Sequence, residues 1–536
     1  MKRPSLPFVA LWALAALLLG AGVVAGAGEG KGSEERDAAA PTSSAVATRG
    51  SPAPTSSAVG SPASALRTNP SASTATVPSA ETAGPAQTSL RDRTEAGLDT
   101  PLLIRLRSLL GLVVLGLLAW AFSVNRRKVA WRVVLWGVGL QLLFALFILK
   151  TPVGEEIFDW LNTVVVALLG FTVEGARFIF GELVYDNVPV GLGEAASNAP
   201  VQEVPGRVAR TGASFAFNVL PTIIFFSSFM TVLYHLGVMQ WIVRGMAWVM
   251  QKTLGTSGAE TLSAAGNIFV GQTEAPLMIK PFIQSMTMSE LHAVMTGGFA
   301  TVAGGVLAAY VGMLMAYFPD IAGHLMAASV MSAPAALVMA KLMVPEEDEP
   351  ATRGSLDLEL EQPDVNVIDA ASRGASEGLG LALNVGAMLL AFIALIALLN
   401  AVIGWGGGLV GLEGLSLEGI LGRVLAPLAW LMGVPWSDAA TVGSLLGLKT
   451  VLNEFVAYLQ LSTLLQEGGA LQPRSVIISI YALSGFANFS SIAIQIGGIG
   501  GIAPSRRHDL SRLGLRAMVA GSFAAFMTAT VAGMLL

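Results

Sequence analysis

The sequence predicts an all-α polytopic membrane protein with about eight transmembrane helices, two re-entrant hairpins and two interrupted helices, arranged as an inverted repeat. The chain is 53% hydrophobic and only 12% charged, whereas soluble domains carry about 25% charged residues. Its apolar residues form runs of about 20, the length that spans a bilayer. Two stretches within this apolar background contain carboxylates, and a segment with Gly-Phe-Ala follows each of them. Such a doubled pattern is typical of inverted-repeat transporters.

Composition excludes several classes of function. The chain has no cysteine, so it forms no disulfide and no thiolate metal site, and its net charge of −5 offers no basic surface for nucleic acid. The four histidines are scattered, and the sequence has neither a His-Glu-x-x-His motif nor a phosphate-binding loop. We therefore expect no enzyme, although an intramembrane enzyme with Glu274 and Glu454 as an acid–base pair stays an alternative.

The N-terminal hundred residues differ from the rest of the chain. Residues 1–27 combine a basic start, an apolar run and small residues, which indicates either a signal peptide or an uncleaved anchor helix. Residues 28–100 are rich in Ala, Ser, Thr and Pro and have almost no aromatic residues. Such a composition predicts a disordered extracytoplasmic segment, because it buries too little apolar surface to offset chain entropy.

Residues 101–257 are expected to form scaffold spans and interfacial helices. Apolar runs predict spans over 103–124, 131–149 and 215–236. The basic loop at 125–128 belongs in the cytoplasm and orients the first two spans. The segment 153–183 carries six charged residues and predicts interfacial helices. A loop rich in Gly, Pro and Asn is expected over about 186–207.

The first repeat is predicted over 258–344. Its run from Asn267 to Pro281 places two amides, a hydroxyl and Glu274 in an apolar background. A carboxylate at membrane depth must face protein, water or a ligand, and prolines break the helix there. These features predict a hairpin with a polar tip. Glycines around Thr301 predict an interrupted helix after it, then a span over 321–344 and an acidic cytoplasmic loop over 345–373.

A scaffold segment comes next, and a second repeat in the same order follows it. Residues 374–434 predict a scaffold span and an interfacial stretch, and residues 435–536 predict the second hairpin and interrupted helix. The hairpin contains Asn453 and Glu454, and the interrupted helix centres on Asn488. A basic loop near residue 507 and a last span over 519–536 complete a count of eight.

Three motifs resemble the concentrative nucleoside transporters, of the sodium-coupled type. They are Gly-Gln-Thr-Glu-Ala-Pro at 271–276, Asn-Glu-Phe-Val-Ala-Tyr at 453–458 and Ser-Gly-Phe-Ala-Asn-Phe-Ser-Ser-Ile-Ala-Ile at 484–494. The resemblance covers roughly residues 102–536. It implies a secondary active transporter that imports nucleosides by cation symport. It also implies a homotrimer embedded in the lipid of the plasma membrane, which is the inner membrane in bacteria. A nucleoside channel is an alternative.

The resemblance also implies a substrate site. It assigns the base side to Gln272, Thr273, Glu274 and Phe486, and the ribose side to Glu454, Asn488 and Ser491. Carboxylates and amides suit ribose hydroxyls and base edges. Structural roles compete with these assignments. Glu274 could pair with Lys280 and Glu454 with Lys449, Asn488 could cap a half-helix, Phe486 could only pack, and Gln272 and Thr273 could join helices.

For the coupling ion, the resemblance implies sodium at Asn267, Val270, Thr301 and Val302. Side-chain and backbone oxygens beside an unwound helix suit a small cation. A proton-coupled symporter is the alternative, with Glu274 or Glu454 as the titrating group. Gly271 occupies a position associated in the family with base preference, and a glycine there suggests room for purines as well as pyrimidines.

Overall fold

A computed structural model describes residues 101–185, 187–192, 202–210, 215–354, 364–409, 411–466 and 471–536. The predicted signal or anchor segment and the segment 28–100 lie outside the described residues. Within them the regular secondary structure is helical except for one two-stranded antiparallel sheet. This sheet joins β1 (Asn187–Leu192) to β2 (Gln202–Arg210), where the sequence predicted a loop.

Three helices precede the sheet: α1 (Leu102–Ala121), α2 (Trp131–Lys150) and α3 (Pro152–Phe180). Close contacts and side-chain hydrogen bonds connect α2 to helices that are buried more deeply in the protein. The Gln141 amide nitrogen donates to the Thr528 hydroxyl (2.9 Å) and to the Met331 carbonyl (3.3 Å). Such hydrogen bonds hold helices together where lipid removes the hydrophobic driving force. The most apolar stretches of α1, α2 and α3 are only 22%, 28% and 17% buried, so much of their surface faces outward.

The chain from Phe215 to Met343 starts with a π-helical turn (Phe215–Val219) and contains six α-helices, of which the last four lie in the predicted first repeat. In chain order they are α4 (Leu220–His235), α5 (Val238–Leu254), α6 (Gly258–Gly266), α7 (Met288–Ala300), α8 (Gly304–Leu314) and α9 (Ile321–Met343). The chain turns after α6 and returns through a 3-10 segment, Ala275–Phe282, that packs against it. Helices α7 and α8 are the two halves of the predicted interrupted helix.

The chain from Val367 to Leu535 has the same order with longer hairpin helices, and its last five helices lie in the predicted second repeat. Its elements are α10 (Val367–Leu409), α11 (Leu417–Met432), α12 (Trp436–Val451), α13 (Glu454–Gln466), α14 (Pro473–Leu483), α15 (Phe489–Ile502) and α16 (Arg507–Leu535). Helices α11 and α12 meet at a 115° bend. Helices α12 and α13 form the second hairpin, hairpin 2, and α14 and α15 are the two halves of the second interrupted helix. The sequence therefore predicted both interrupted helices correctly.

The helix α6 and the segment Ala275–Phe282 form hairpin 1, and the local sequence explains how it begins and ends. Ser257 and Glu260 form a capping box at the start of α6, and Thr287 and Glu290 form another at the start of α7. A capping box satisfies two amide groups that a helix start leaves without partners. The Thr352 carbonyl also accepts from the Gly258 amide (3.0 Å), so the chain after α9 seals the base of the hairpin.

A buried ion pair ties the same base to α9. The Lys341 ammonium lies 2.7 Å from the Glu260 carboxylate and 3.1 Å from that of Glu346. It also donates to the Ser289 hydroxyl (3.0 Å). Buried charges are tolerated when they are paired and hydrogen-bonded in this way. The acidic loop predicted over 345–373 is thus partly a structural clamp.

Burial separates an inner layer from an outer one. In the most apolar 18-residue stretch of each segment, 83% of the residues are buried in Met288–Leu314, 89% in Ile321–Met343 and 78% in Pro504–Leu535. In Val367–Leu409 only 6% are buried. The broken helix α7–α8, α9 and α16 are therefore central, and α10 presents an apolar surface outward.

Eight described helical segments are long and apolar enough to cross a membrane, or nine if the bent pair α11–α12 counts as one span. The number agrees with the sequence prediction, but the members differ. Pro152–Val184 qualifies by length and apolarity, although its charges led us to predict interfacial helices. Helices α14 and α15 are each too short to qualify alone. The interfacial assignment of α3 stays a prediction.

Candidate functional site

The breaks in the two interrupted helices lie back to back. Gly485 lies in the second break with φ of 129°. A Cβ on it would lie 2.8 Å from the Phe299 carbonyl oxygen and 2.9 Å from that of Ala300, at the end of α7. Only glycine suits both this backbone conformation and this approach. The two repeats therefore meet where their helices unwind.

The tip of hairpin 1 contacts the second repeat. The Gln272 amide nitrogen donates to the Ser491 hydroxyl at 3.3 Å, and Gln272 is buried. Thr273 packs on α15, because a Cβ on Gly498 would lie 2.7 Å from its methyl carbon. The Thr273 hydroxyl donates to the Glu274 carboxylate (3.0 Å), and Glu274 is exposed. The structure thus brings a predicted base-side residue against a predicted ribose-side residue.

Gly271 has a structural reason that the sequence did not reveal. A Cβ at this position would lie 2.1 Å from a carboxylate oxygen of Glu274. The Glu274 side chain folds back over the glycine and takes the space that we had expected to stay open for a purine. Glycine at position 271 therefore permits this orientation of Glu274.

The tip of hairpin 2 holds a buried carboxylate. Glu454 is 4% exposed. Its carboxylate accepts a hydrogen bond from the Tyr310 hydroxyl (2.9 Å) and another from the Asn488 amide (3.0 Å). Tyr310 lies on α8 in the first repeat, so hairpin 2 also contacts the opposite repeat. Hydrogen bonds to a charged acceptor are strong and orient it.

Asn488 has two roles at once. Its side-chain oxygen accepts from the Ser491 amide (2.9 Å) and caps α15, while its side-chain nitrogen donates to Glu454. The capping alternative is therefore correct, and it leaves the ligand role open. Phe486 is partly buried and packs against the apolar core, so the packing alternative also describes its contacts.

The four predicted sodium ligands lie on two adjacent segments. The Gly304 amide donates to the Phe269 carbonyl (3.0 Å), which places the break after α7 beside the chain that follows α6. Asn267 is fully buried, and its side-chain oxygen has no hydrogen-bond partner in the described chain. The Thr301 hydroxyl, also buried, donates to the Gly297 carbonyl (2.9 Å) and keeps its lone pairs. Val270 and Val302 follow Asn267 and Thr301 on the same two segments.

An oxygen without a partner, a hydroxyl and nearby backbone carbonyls are the donor set that a small monovalent cation requires. An unpaired buried acceptor is costly, so the Asn267 oxygen has the capacity to bind a cation. The residues present therefore fit sodium.

Three family models match the chain. One described as "Na+ dependent nucleoside transporter N-terminus" matches residues 110–183, one described as "Nucleoside recognition" matches 216–317, and one described as "Na+ dependent nucleoside transporter C-terminus" matches 324–533. The solved structure of CNTnw in an inward-facing substrate-bound state is 42% identical with a TM-score of 0.70. The match covers 80% of this chain and 97% of that one. The chain belongs to the concentrative nucleoside transporter family.

Other members give the same result. A CNTnw variant in an outward-facing state is 42% identical with a TM-score of 0.73, over 81% of this chain and 99% of that one. Sodium/nucleoside cotransporter 1 of Mus musculus is 44% identical over 444 residues, which is 80% of this chain. Solute carrier family 28 member 3 of Mus musculus is 43% identical over 438 residues, 79% of this chain. The chain spans only 64% and 58% of the lengths of these two relatives.

Neither ion pair that competed with the transporter assignment forms in the described chain. The partners of Glu454 are Tyr310 and Asn488, and its neighbour Lys449 donates to the Ala482 carbonyl instead. Glu274 accepts from Thr273 and makes no contact within 4.0 Å with the Lys280 ammonium. Both carboxylates at the hairpin tips are therefore available in this family member.

Two residues of the site were missed from the sequence. One is Tyr310, whose only signal was a phenol in an otherwise apolar half-helix. The other is Gln495, which is fully buried on α15. Its amide nitrogen donates to the Gln272 side-chain oxygen (3.0 Å) and to the Met295 carbonyl (3.1 Å). Gln495 thereby orients the Gln272 amide, and its position one turn after Ser491 was the available signal.

Proposed function

We propose that this protein is a secondary active transporter that imports nucleosides by sodium symport. One observation carries the proposal: both hairpin tips and both helix breaks converge, and they bring Gln272, Glu454, Asn488 and Ser491 into one connected polar cluster inside an apolar protein. Transporters built from repeats place their substrate at such a junction. The names of the sodium/nucleoside cotransporters that the chain resembles support the same function.

The ribose is proposed to bind at Glu454, Asn488 and Ser491. A ribose offers vicinal hydroxyls, and the Glu454 carboxylate accepts hydrogen bonds from hydroxyls. Tyr310 and Asn488 restrain that carboxylate and leave each of its oxygens further acceptor capacity. A buried site built for hydroxyls discriminates strongly against sugars that lack them, because its polar groups would be left unpaired.

The base is proposed to bind at Gln272, Thr273, Glu274 and Phe486. Amides and hydroxyls both donate and accept, so this group can pair with pyrimidine and purine edges. We propose that both classes are substrates. The support lies in this mixed hydrogen-bonding capacity, since Glu274 takes the space over Gly271.

Sodium is proposed to bind at Asn267, Val270, Thr301 and Val302 and to drive uptake. A neutral nucleoside gains nothing from the membrane potential, whereas one cation gains about 2.3 kcal/mol per 100 mV. A tenfold sodium gradient adds about 1.4 kcal/mol. The Gly304 amide donates a hydrogen bond to the Phe269 carbonyl, which joins the break after α7 to the chain after α6. A cation bound between these two segments would therefore hold hairpin 1 beside the proposed substrate residues.

The test is uptake of radiolabelled uridine into proteoliposomes with and without an inward sodium gradient. Accumulation that requires sodium and rises with an inside-negative potential is the expected result. Full uptake in sodium-free buffer, driven by a proton gradient and abolished by a protonophore, would establish proton coupling instead. Equilibration without accumulation under any gradient would indicate a channel.

We further propose that the protein lies in the plasma membrane, which is the inner membrane in bacteria, and assembles as a homotrimer. The described apolar helices support a multi-pass membrane protein. The outward apolar face of α10 needs lipid or another subunit to cover it. Crosslinking of the protein in native membranes, analysed by denaturing electrophoresis, tests the trimer.

A further inference from the structure

The second repeat contains a buried cation that the proposed function does not use. Lys449 lies near the end of α12 and is fully buried. Its ammonium donates to the Ala482 carbonyl oxygen (2.8 Å) and lies 5.8 Å from the centre of the Phe526 ring. Within the described chain no carboxylate lies within 4.0 Å of it.

The contrast with Lys341 shows how unusual this environment is. Lys341 is also buried, but two carboxylates neutralise it at 2.7 and 3.1 Å. Lys449 instead faces a backbone carbonyl at the C-terminal end of a half-helix and the face of an aromatic ring. Both carry negative partial charge, so both favour a cation. The environment of Lys449 resembles a cation-binding site more than an ion pair.

The position of Lys449 corresponds to that of Asn267 in the first repeat. Asn267 directly follows the first hairpin helix, α6, and contacts the last turn of α7 near Gly297. Lys449 lies at the end of the first hairpin helix of its own repeat, α12, and contacts the last turn of α14 at Ala482. In each repeat the break in the interrupted helix begins within a few residues of that contact.

The chemistry at the two positions is complementary. Asn267 presents a buried oxygen without a hydrogen-bond partner, which can accept a cation. Lys449 presents an ammonium to the carbonyl end of the corresponding half-helix. We propose that the Lys449 ammonium is a fixed cation that occupies in the second repeat the position that sodium occupies in the first. It thereby limits coupling to one sodium ion per nucleoside and holds the second break in place. This inference rests on the proposed function.

The test compares sodium activation of uridine uptake and the net charge moved per uridine in proteoliposomes. The variants are Lys449→Arg, which keeps the charge, Lys449→Met, which removes it, and Lys449→Asn, which replaces it with an oxygen donor. Lys341→Met is the matched control, because it removes a buried lysine with a structural role. Each protein is first checked by thermal unfolding in sodium and in choline.

For the wild type we expect a Hill coefficient for sodium of about one and about one charge per uridine. Lys449→Asn should let a second sodium ion enter, and both quantities should rise toward about two. Lys449→Met should lower uptake about tenfold or more and keep the Hill coefficient at about one. Lys449→Arg should stay within about fivefold of wild-type uptake. Lys341→Met should lose thermal stability without any change in the Hill coefficient.

A Lys449→Met protein with wild-type uptake and stability would overturn the inference, as would a Lys449→Asn protein that transports well with unchanged stoichiometry. If the neutral variants do not fold, a folded Lys449→Arg protein supports the need for charge. If none of the three Lys449 variants folds, the inference is overturned, because the shape of the side chain and not its charge would then be required. A wild type without sodium dependence would contradict the proposed function itself, which this assay reports separately.

Discussion

The two hairpins occupy equivalent places in the two repeats but present different side chains. Hairpin 1 ends in Gln272, Thr273 and an exposed Glu274, and its neighbour Asn267 has an oxygen without a partner. Hairpin 2 ends in Glu454, which is 4% exposed and held by two hydrogen bonds, and its neighbour Lys449 supplies its own cation. The carboxylate of the first tip is exposed, whereas that of the second is buried and held in place by two hydrogen bonds.

This difference indicates that the two repeats, although equivalent in fold, have different roles. A helix break exposes carbonyl groups in either repeat, so both repeats attract a cation. In the first repeat the buried Asn267 oxygen has no partner, and this is where we propose that sodium binds. In the second repeat the Lys449 ammonium donates to the exposed end of the half-helix, and hairpin 2 holds the carboxylate that we propose for the ribose.

The largest effect is expected from Glu454→Gln, which removes the charge of the rigid tip. The amide can accept from Tyr310 or from Asn488 but not from both, and the charged hydrogen bonds to the ribose are lost. Loss of one such bond costs about 1.5–3 kcal/mol, or roughly tenfold to a hundredfold in uridine affinity. Asn488→Ala and Ser491→Ala should act in the same direction.

The measurement is binding of uridine against 2′,3′-dideoxyuridine. Tyr310→Phe is the control, because it removes one hydrogen bond from Glu454 and keeps the carboxylate charge. It should weaken both ligands without removing the preference for the hydroxylated sugar. The ribose assignment would be wrong if the Glu454, Asn488 and Ser491 variants all kept the wild-type preference.

The next effect concerns the contact between the repeats. Gly485→Ala should destabilise the protein, because its φ of 129° and the adjacent Phe299 and Ala300 carbonyls leave no place for a Cβ. Strain of this kind costs about 1–3 kcal/mol. The thermal unfolding midpoint of purified protein should fall.

Gly497→Ala is the matched control, since a Cβ at Gly497 would have no neighbour within 4 Å. In a helix this change should be neutral or stabilising by up to about 1 kcal/mol. Equal midpoints for the two variants would show that the breaks do not meet as described.

A smaller effect is expected at the open cation position. Asn267→Ala removes the buried oxygen and should raise the sodium concentration for half-maximal uridine uptake about tenfold, or about 1.4 kcal/mol. Thr301→Ala should shift it in the same direction. Thr301→Ser keeps the hydroxyl and should remain close to wild type. If Thr301→Ser shifted as far as Thr301→Ala, the hydroxyl would not be the group that matters.

The smallest effect is expected at Gln495, which acts through Gln272. Gln495→Met removes the bond that orients the Gln272 amide and should cost about 0.5–1.5 kcal/mol in uridine binding. The same change in a Gln272→Ala background should have almost no effect, because the two residues act in one network. Additive losses in this double-mutant cycle would show that Gln495 supports packing and not the orientation of Gln272.

The sequence by itself determined the family, the fold class and the places where the helices break. Carboxylates and prolines in apolar runs cannot face lipid, so Glu274 and Glu454 marked the hairpins without any tertiary information. Glycines and hydroxyls around Thr301 and Asn488 marked the breaks for a similar reason. These signals are local, because the bilayer imposes its cost on each segment separately.

The tertiary structure decided which residues meet. Tyr310 contacts Glu454 across 144 positions of sequence, and Gln495 contacts Gln272 across 223. No local pattern encodes such pairs, since they depend on how the two repeats pack. The same packing gave Gly271 its role beneath Glu274 and separated Lys449 from Glu454, where sequence proximity suggested an ion pair. The sequence shows which polar side chains lie in apolar segments and must therefore be paired. The packing of helices that are distant in sequence determines which residues pair with them.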